Sequence, residues 1–122
     1  MLRGPMLPVR LLAILAASMS SACSSPPVSF DSPDPSARLN AITKALRERD
    51  RGSIPDLIDS LEHDDPLVRL AAIRGLEEFT GETRGYSYAD PDFRRQEAIE
   101  RWIDWYRAQS PEAPPAASRS AR

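Results

Sequence analysis

Cysteine and histidine each occur once in the 122 residues, at Cys23 and His63. A single thiol excludes an internal disulfide, so any fold must be held by packing. One imidazole with no second histidine or cysteine cannot complete a zinc-type ligand set, and EHDD at 62–65 reads as a polar turn with a solvated His63. A basic surplus is missing too: 16 Lys and Arg stand against 18 Asp and Glu, which speaks against nucleic-acid binding. No serine sits in a nucleophile elbow, GETRG at 81–85 lacks the Gly-Lys-Ser/Thr ending of a phosphate loop, and no dinucleotide fingerprint occurs. Glu77 and Glu78 are adjacent and diverge by about 100° on a helix. Neither enzyme activity nor a metal, cofactor or small-molecule substrate is expected. No stretch alternates at period two, so no strand is expected either. No apolar run reaches the roughly 20 residues of a membrane-spanning helix.

What is present begins with the termini. Arg3 and Arg10 precede LLAILAA at 11–17 and small residues down to Cys23, the order of an export signal. MSSACSS resembles the junction of a bacterial lipoprotein, in which the cysteine takes a diacylglycerol and becomes the new N-terminus. It departs from that pattern at Ser20, where Leu is usual, and two readings compete with it: cleavage after Ala22 with a free Cys23, or a buried structural cysteine. The resemblance implies a signal at 1–22, a lipid anchor on Cys23, and a place on the periplasmic face of a membrane. Ser24, in the position where Asp retains lipoproteins, points toward the outer membrane. Removing residues 1–22 takes away two of the 16 basic residues and none of the acidic ones, leaving a net charge of about −4. SSPPVSFDSP at 24–33 reads as a semi-extended tether reaching roughly 30 Å. SPEAPPAASRSAR at 110–122 has the same disordered character.

Residues 34–109 divide into four helical runs, an all-α domain between flexible tails. Asp34-Pro35 opens the first with a capping carboxylate and a proline at the first helical position; Leu39, Ile42 and Leu46 follow at helical spacing. Ser53 is expected to cap the second, striped by Ile54, Leu57, Ile58 and Leu61 and ending near His63. Asp65-Pro66 opens the third and Thr80-Gly81 closes it. Val68, Ala72, Gly75, Leu76 and Phe79 line one side of it, while Leu67, Leu70 and Ile73 fall on others, which predicts a sandwiched helix. The fourth starts at Asp90-Pro91 and aligns Ala98, Ile99, Trp102, Trp105 and Tyr106.

DPLVRLAAI at 65–73 echoes DPSARLNAI at 34–42 in six of nine positions, and DPDFRRQEAI at 90–99 keeps the Asp-Pro and the arginine. Repeats of helix, turn and helix signal an α-solenoid. IPDLIDSLEHDDPLVRLAAIRGLEEFTG at 54–81 resembles a HEAT repeat of the short bacterial kind: Pro55 matches the proline of its first helix, Asp64 or Asp65 its turn aspartate, Val68-Arg69 its valine-arginine pair, and Ala72 and Leu76 its packing positions. Residues 34–51 look like the second helix of a preceding repeat. TGETRGYSYADPDFRRQEAIERWIDWY at 80–106 resembles a terminal element that follows HEAT repeats in planctomycete-type envelope proteins. A solenoid needs such a cap because its last repeat has no successor.

The HEAT resemblance implies that Arg38, Arg69 and Arg94 pair with turn aspartates such as Asp65 in a ladder between repeats. Trp102, Trp105 and Tyr106 are expected to pack the cap against the third helix. Tyr86 and Tyr88, aromatic and beside a glycine in an inter-helix loop, are the candidate binding residues; the competing reading is that they fold back over Trp102 as part of the cap. The expected role is a membrane-anchored, non-catalytic scaffold or adaptor for another envelope protein. A structural accessory of an envelope assembly is the alternative, and a lyase like the HEAT-like bilin lyases is supported by nothing beyond the shared fold. An apolar patch on the exposed face favours the adaptor, and scattered polar residues favour the accessory.

Overall fold

A computed structural model describes Gly4 and residues 24–109. The rest of the signal segment, the lipidation candidate Cys23 and the tail at 110–122 lie outside the described residues. Four helices follow in order: α1 (Pro35–Arg47), α2 (Ile54–Ser60), α3 (Pro66–Thr80) and α4 (Asp92–Gln109), with a single 3-10 turn at Arg51–Ser53 before α2. Among the described residues there is no strand, and none of these helices is long and apolar enough to cross a membrane.

The echo is one capping device used twice. Asp34 (ψ 121°) accepts from the amides of Ser36 and Ala37, and Asp65 (ψ 121°) accepts from those of Leu67 and Val68, each with a proline next. These bonds satisfy helix-start donors that have no intrahelical partner. The third copy does not repeat the device. α4 begins at Asp92, and the Pro91 carbonyl accepts from the amides of Arg94 and Arg95 at 3.0 and 3.1 Å. Ser53 departs from its expected capping role as well. Its hydroxyl donates to Asp50 at 2.8 Å, and Asp50 caps the 3-10 turn by accepting from the Gly52 amide at 2.9 Å.

Helix ends are set by left-handed residues and tightened turns. After α1 the Asp50 amide reaches back to the Ala45 carbonyl and the Arg49 amide to that of Leu46, with Arg49 at φ 53°. This is a Schellman closure with arginine in the position that usually takes glycine. α3 ends on Gly81 at φ 78°. Leu61, Glu62 and His63 each donate three residues back, so α2 ends as a 3-10 coil on reaching His63.

The helices form two layers. α3 packs against both α1 and α2, while α4 packs on α2. The main partner of α4 is thus α2, while its contact with α3 runs through the shared core; the loop at 81–91 returns to the α2–α3 turn, where Tyr86 meets Leu61 and Arg69 holds Tyr88, before α4 starts. The core joins Ile42 of α1, Leu57 and Ile58 of α2, Val68, Ala72 and Leu76 of α3, and Ala98, Ile99 and Trp102 of α4. A Cβ on Gly75 would stand 3.3 Å from Leu46 and 3.4 Å from Leu57, so this glycine admits close approach of α1 and α2 to α3. α3 is not sandwiched on all sides, because Leu67 is 56% exposed. The folded body also starts earlier than Asp34. Ser29 donates its amide to the Ala37 carbonyl at 3.2 Å, Asn40 donates to the Pro27 carbonyl at 3.1 Å, and Phe30 packs on the core. Residues 27–33 are therefore a strap along α1, and the expected tether is shorter by that length.

Candidate interaction surface

The loop between α3 and α4 is the most elaborately held part of the molecule. Arg84 and Gly85 both have positive φ (52° and 75°), and the Tyr86 amide donates to the Thr83 carbonyl at 3.0 Å. Two consecutive left-handed residues inside a closed four-residue turn are the mark of a primed β-turn. Glycine takes that backbone freely and arginine does not. The turn is pinned from α4: the indole N–H of Trp102 donates to the Thr83 carbonyl at 3.0 Å, and Arg101 Nε donates to the Arg84 carbonyl at 3.0 Å.

Tyr86 follows the turn and is buried, with its hydroxyl donating to the Leu61 carbonyl at 2.7 Å. Leu61 ends α2, so its carbonyl is one of those a helix leaves without an internal partner. Burial pushes the Tyr86 phenol up to about 12, against a smaller opposing pull from Arg69 and Arg95. Tyr86 is thus engaged as a structural staple and is 5% exposed. Tyr88, two residues on, is 38% exposed.

The arginines do not form the expected ladder to turn aspartates. Arg69 spans two turns through main-chain carbonyls: one terminal nitrogen donates to His63 and Asp64 at 2.9 and 2.7 Å, and Nε and the other terminal nitrogen reach Tyr88 at 3.3 and 3.2 Å. Asp65 is not its partner because that carboxylate is engaged in capping α3. Arg38 does meet a carboxylate, that of Asp59 at 3.2 Å, but Asp59 lies within α2, and Arg38 Nε donates to the Ser32 carbonyl of the strap. Arg94 is exposed and lies 5.9 Å from the ring of Phe93, its own neighbour. The one-residue shift of the α4 start explains its different place. His63 accepts the Asp65 amide on Nδ1 at 3.0 Å, which makes it part of the turn.

Of the cap aromatics, Trp102 is fully buried, while Trp105 and Tyr106 are half-buried against the core. Trp102 and Trp105 meet edge to face, centroids 5.5 Å apart, and the Arg84 guanidinium lies over both rings at 5.1 and 4.7 Å. Sequence reasoning missed Arg84, whose only signal is its place before Gly85 in a loop preceding a W-x-x-W helix. Among the described residues no group of three His, Cys, Asp or Glu is placed to hold a metal ion.

Apart from Val28 on the strap, the large exposed apolar side chains among the described residues lie on the first turns of α3 and α4 and on the loop between these helices. Leu67 stands on the first turn of α3 and Phe93, 63% exposed, on the first turn of α4. Tyr88 lies between them in sequence, its carbonyl held by Arg69. The two-layer order, with α1 beside α3 and α2 beside α4, is that of stacked helix pairs, and a family model for HEAT repeats matches residues 28–101. The chain belongs to the HEAT-repeat family. The HEAT match begins inside the strap and ends within α4, so it takes in the primed turn and Trp102's neighbour Arg101. No curated protein and no solved structure matches the chain. HEAT repeats generally mediate protein–protein interaction.

Proposed function

We propose that this HEAT domain is a non-catalytic scaffold or adaptor of the bacterial cell envelope, anchored to the membrane through a lipid on Cys23 and docking one protein partner at the end that carries Leu67, Tyr88 and Phe93. The observation that supports it is the exposure of Leu67 and Phe93, at 56% and 63%, on the first turns of α3 and α4. Apolar side chains scattered singly need no explanation, whereas a group of them around one end of a domain fits a contact surface. Tyr88, amphipathic and partly exposed, suits the rim of such a contact. A purely structural accessory role has in its favour the polar character of the other faces.

Photo-crosslinking in native membranes from positions 67 and 93 tests the adaptor reading. A specific adduct that disappears in the Leu67→Ser/Phe93→Ser double variant, with an unchanged melting temperature, is the expected result. An accessory role predicts no dependence on these side chains. For the anchor, Cys23→Ser with residues 1–22 cleaved off should move the protein to the soluble fraction, because the polar segment from residue 24 does not hold a membrane without acyl chains. A variant that stays with the membrane refutes lipid tethering.

A further inference from the structure

A groove lies beside the primed turn, lined by Glu82, Thr83, Arg84, Arg101, Asp104 and Trp105. Its charges pair only in part. Glu82 pairs with Arg84 at 2.8 Å and Asp104 faces Arg107 at 3.8 Å. The lining carries two arginines and two carboxylates, but Arg101 gives only its Nε to a backbone carbonyl and meets no carboxylate among the described residues, which leaves its terminal nitrogens as open donors. Arg84 is the costly residue. It occupies left-handed backbone, its buried Nε has no acceptor among the described residues, and its planar group is held against two tryptophan rings. Such an outlier at a surface groove is where backbone strain and an unsatisfied donor point to binding. The carboxylate that Arg84 does hold comes from Glu82, whose side chain is 59% exposed. Glu82 is thus an exchangeable, tethered stand-in for an incoming acid.

We propose that this groove binds a single Asp or Glu side chain of an extended protein segment, whose carboxylate displaces Glu82 from Arg84 and takes up the free donors of Arg101. A forked guanidinium pre-positioned by aromatic stacking is suited to carboxylate geometry. The half-buried ring of Trp105 offers the segment an apolar wall. Glu82 and Asp104 flank the two arginines, so a phosphate-dense membrane or nucleic acid meets repulsion where one carboxylate fits. The proposal rests on the adaptor reading only in expecting a protein occupant. Crosslinking from positions 67 and 93 can fail or succeed independently of peptide binding at this groove.

The chain has two tryptophans, both against Arg84 and one of them, Trp105, lining the groove, so tryptophan emission reports on events at Arg84. The full chain in detergent is titrated with a blocked five-residue peptide carrying one central glutamate, with its glutamine twin, with inorganic phosphate and with phosphatidylglycerol vesicles. The glutamate peptide should give a saturable change and the glutamine twin none. Glu82→Gln should tighten binding by about fivefold and Arg101→Gln should weaken it by a similar factor, the scale of one surface ion pair. Glu82→Gln is the decisive variant, because the loss of a binding-site fold cannot produce a gain. Equal responses to both peptides, an unsaturated response, weaker binding by Glu82→Gln, or a preference for phosphate or for the vesicles would each overturn the proposal.

Discussion

The Tyr86 hydroxyl donates to the Leu61 carbonyl at 2.7 Å, and this bond joins the loop before α4 to the end of α2. It answers a need created by α2 itself, which is only Ile54–Ser60 and leaves its last carbonyls for others to satisfy. Removing the hydroxyl while keeping the ring isolates that bond. Tyr86→Phe should destabilise the domain by about 1–3 kcal/mol, the cost of an acceptor left unpaired in a buried place, as read by thermal or urea unfolding.

The burial of the same phenol gives a dependence on pH. Burial lifts the Tyr86 phenol to about 12, above its value in an unfolded chain, so the folded state holds the proton more tightly. Stability from this group is complete below about pH 10 and is lost as pH rises from there toward 12. Melting temperature should fall over that interval in the parent and less steeply in Tyr86→Phe. Parallel curves would show that the phenol is not the group responsible.

Trp102 is fully buried, and its indole N–H donates to Thr83, so it joins α4 to the turn as well as to the core. Trp102→Ala should cost roughly 3–5 kcal/mol, a fall in melting temperature of about 12 °C or more in a domain of this size. Trp105→Ala, with its ring half-exposed, should cost less. An unchanged melting temperature in Trp102→Ala would mean that α4 does not close the solenoid.

Which of these features could be read from the sequence depends on how local their causes are. Asp34-Pro35 and Asp65-Pro66 cap helices through contacts two and three residues away, so both starts were legible. The Arg49 closure was not, because arginine gives no signal for left-handed backbone, and Ser53 misled because Asp50 outcompetes it for the turn. Tyr86 and Tyr88 look alike in the chain. What separates them is the Leu61 carbonyl, 25 residues upstream, whose orphan state depends on where α2 ends. The packing of α4 on α2 was hidden for a related reason: the path of the loop at 81–91 is decided by Arg69, Tyr86 and Trp102 acting together across the fold.

Arg69 and Arg94 share a motif position and differ in what they hold. Arg69 joins the α2–α3 turn to the loop before α4 through three main-chain carbonyls, whereas Arg94 lies exposed over Phe93. Arg69→Ala should cost about 1.5–3 kcal/mol, the range for hydrogen bonds from a charged donor. Arg94→Ala should stay within about 0.5 kcal/mol, as surface changes do. A ladder common to all three Asp-Pro motifs would instead make the two variants equally damaging, so the ratio of their unfolding free energies discriminates.

Glu62 supplies a prediction of opposite sign. Partial burial, and next the neighbouring Asp59 carboxylate, raise its carboxyl above the ordinary value, and it accepts a long hydrogen bond from Gln96 of α4 at 3.5 Å. A carboxyl that holds its proton more tightly when folded lowers stability as pH rises past its unfolded value. The ionised form is therefore slightly unfavourable at neutral pH, and an uncharged side chain of the same shape relieves it. Glu62→Gln should raise the melting temperature by a few degrees at most at about pH 7, and the gain should vanish below about pH 4, where the parent is protonated in both states. A loss of stability at neutral pH would show that the Gln96 contact outweighs the repulsion from Asp59, and that α4 is held at this end by charge as well as by its aromatic face.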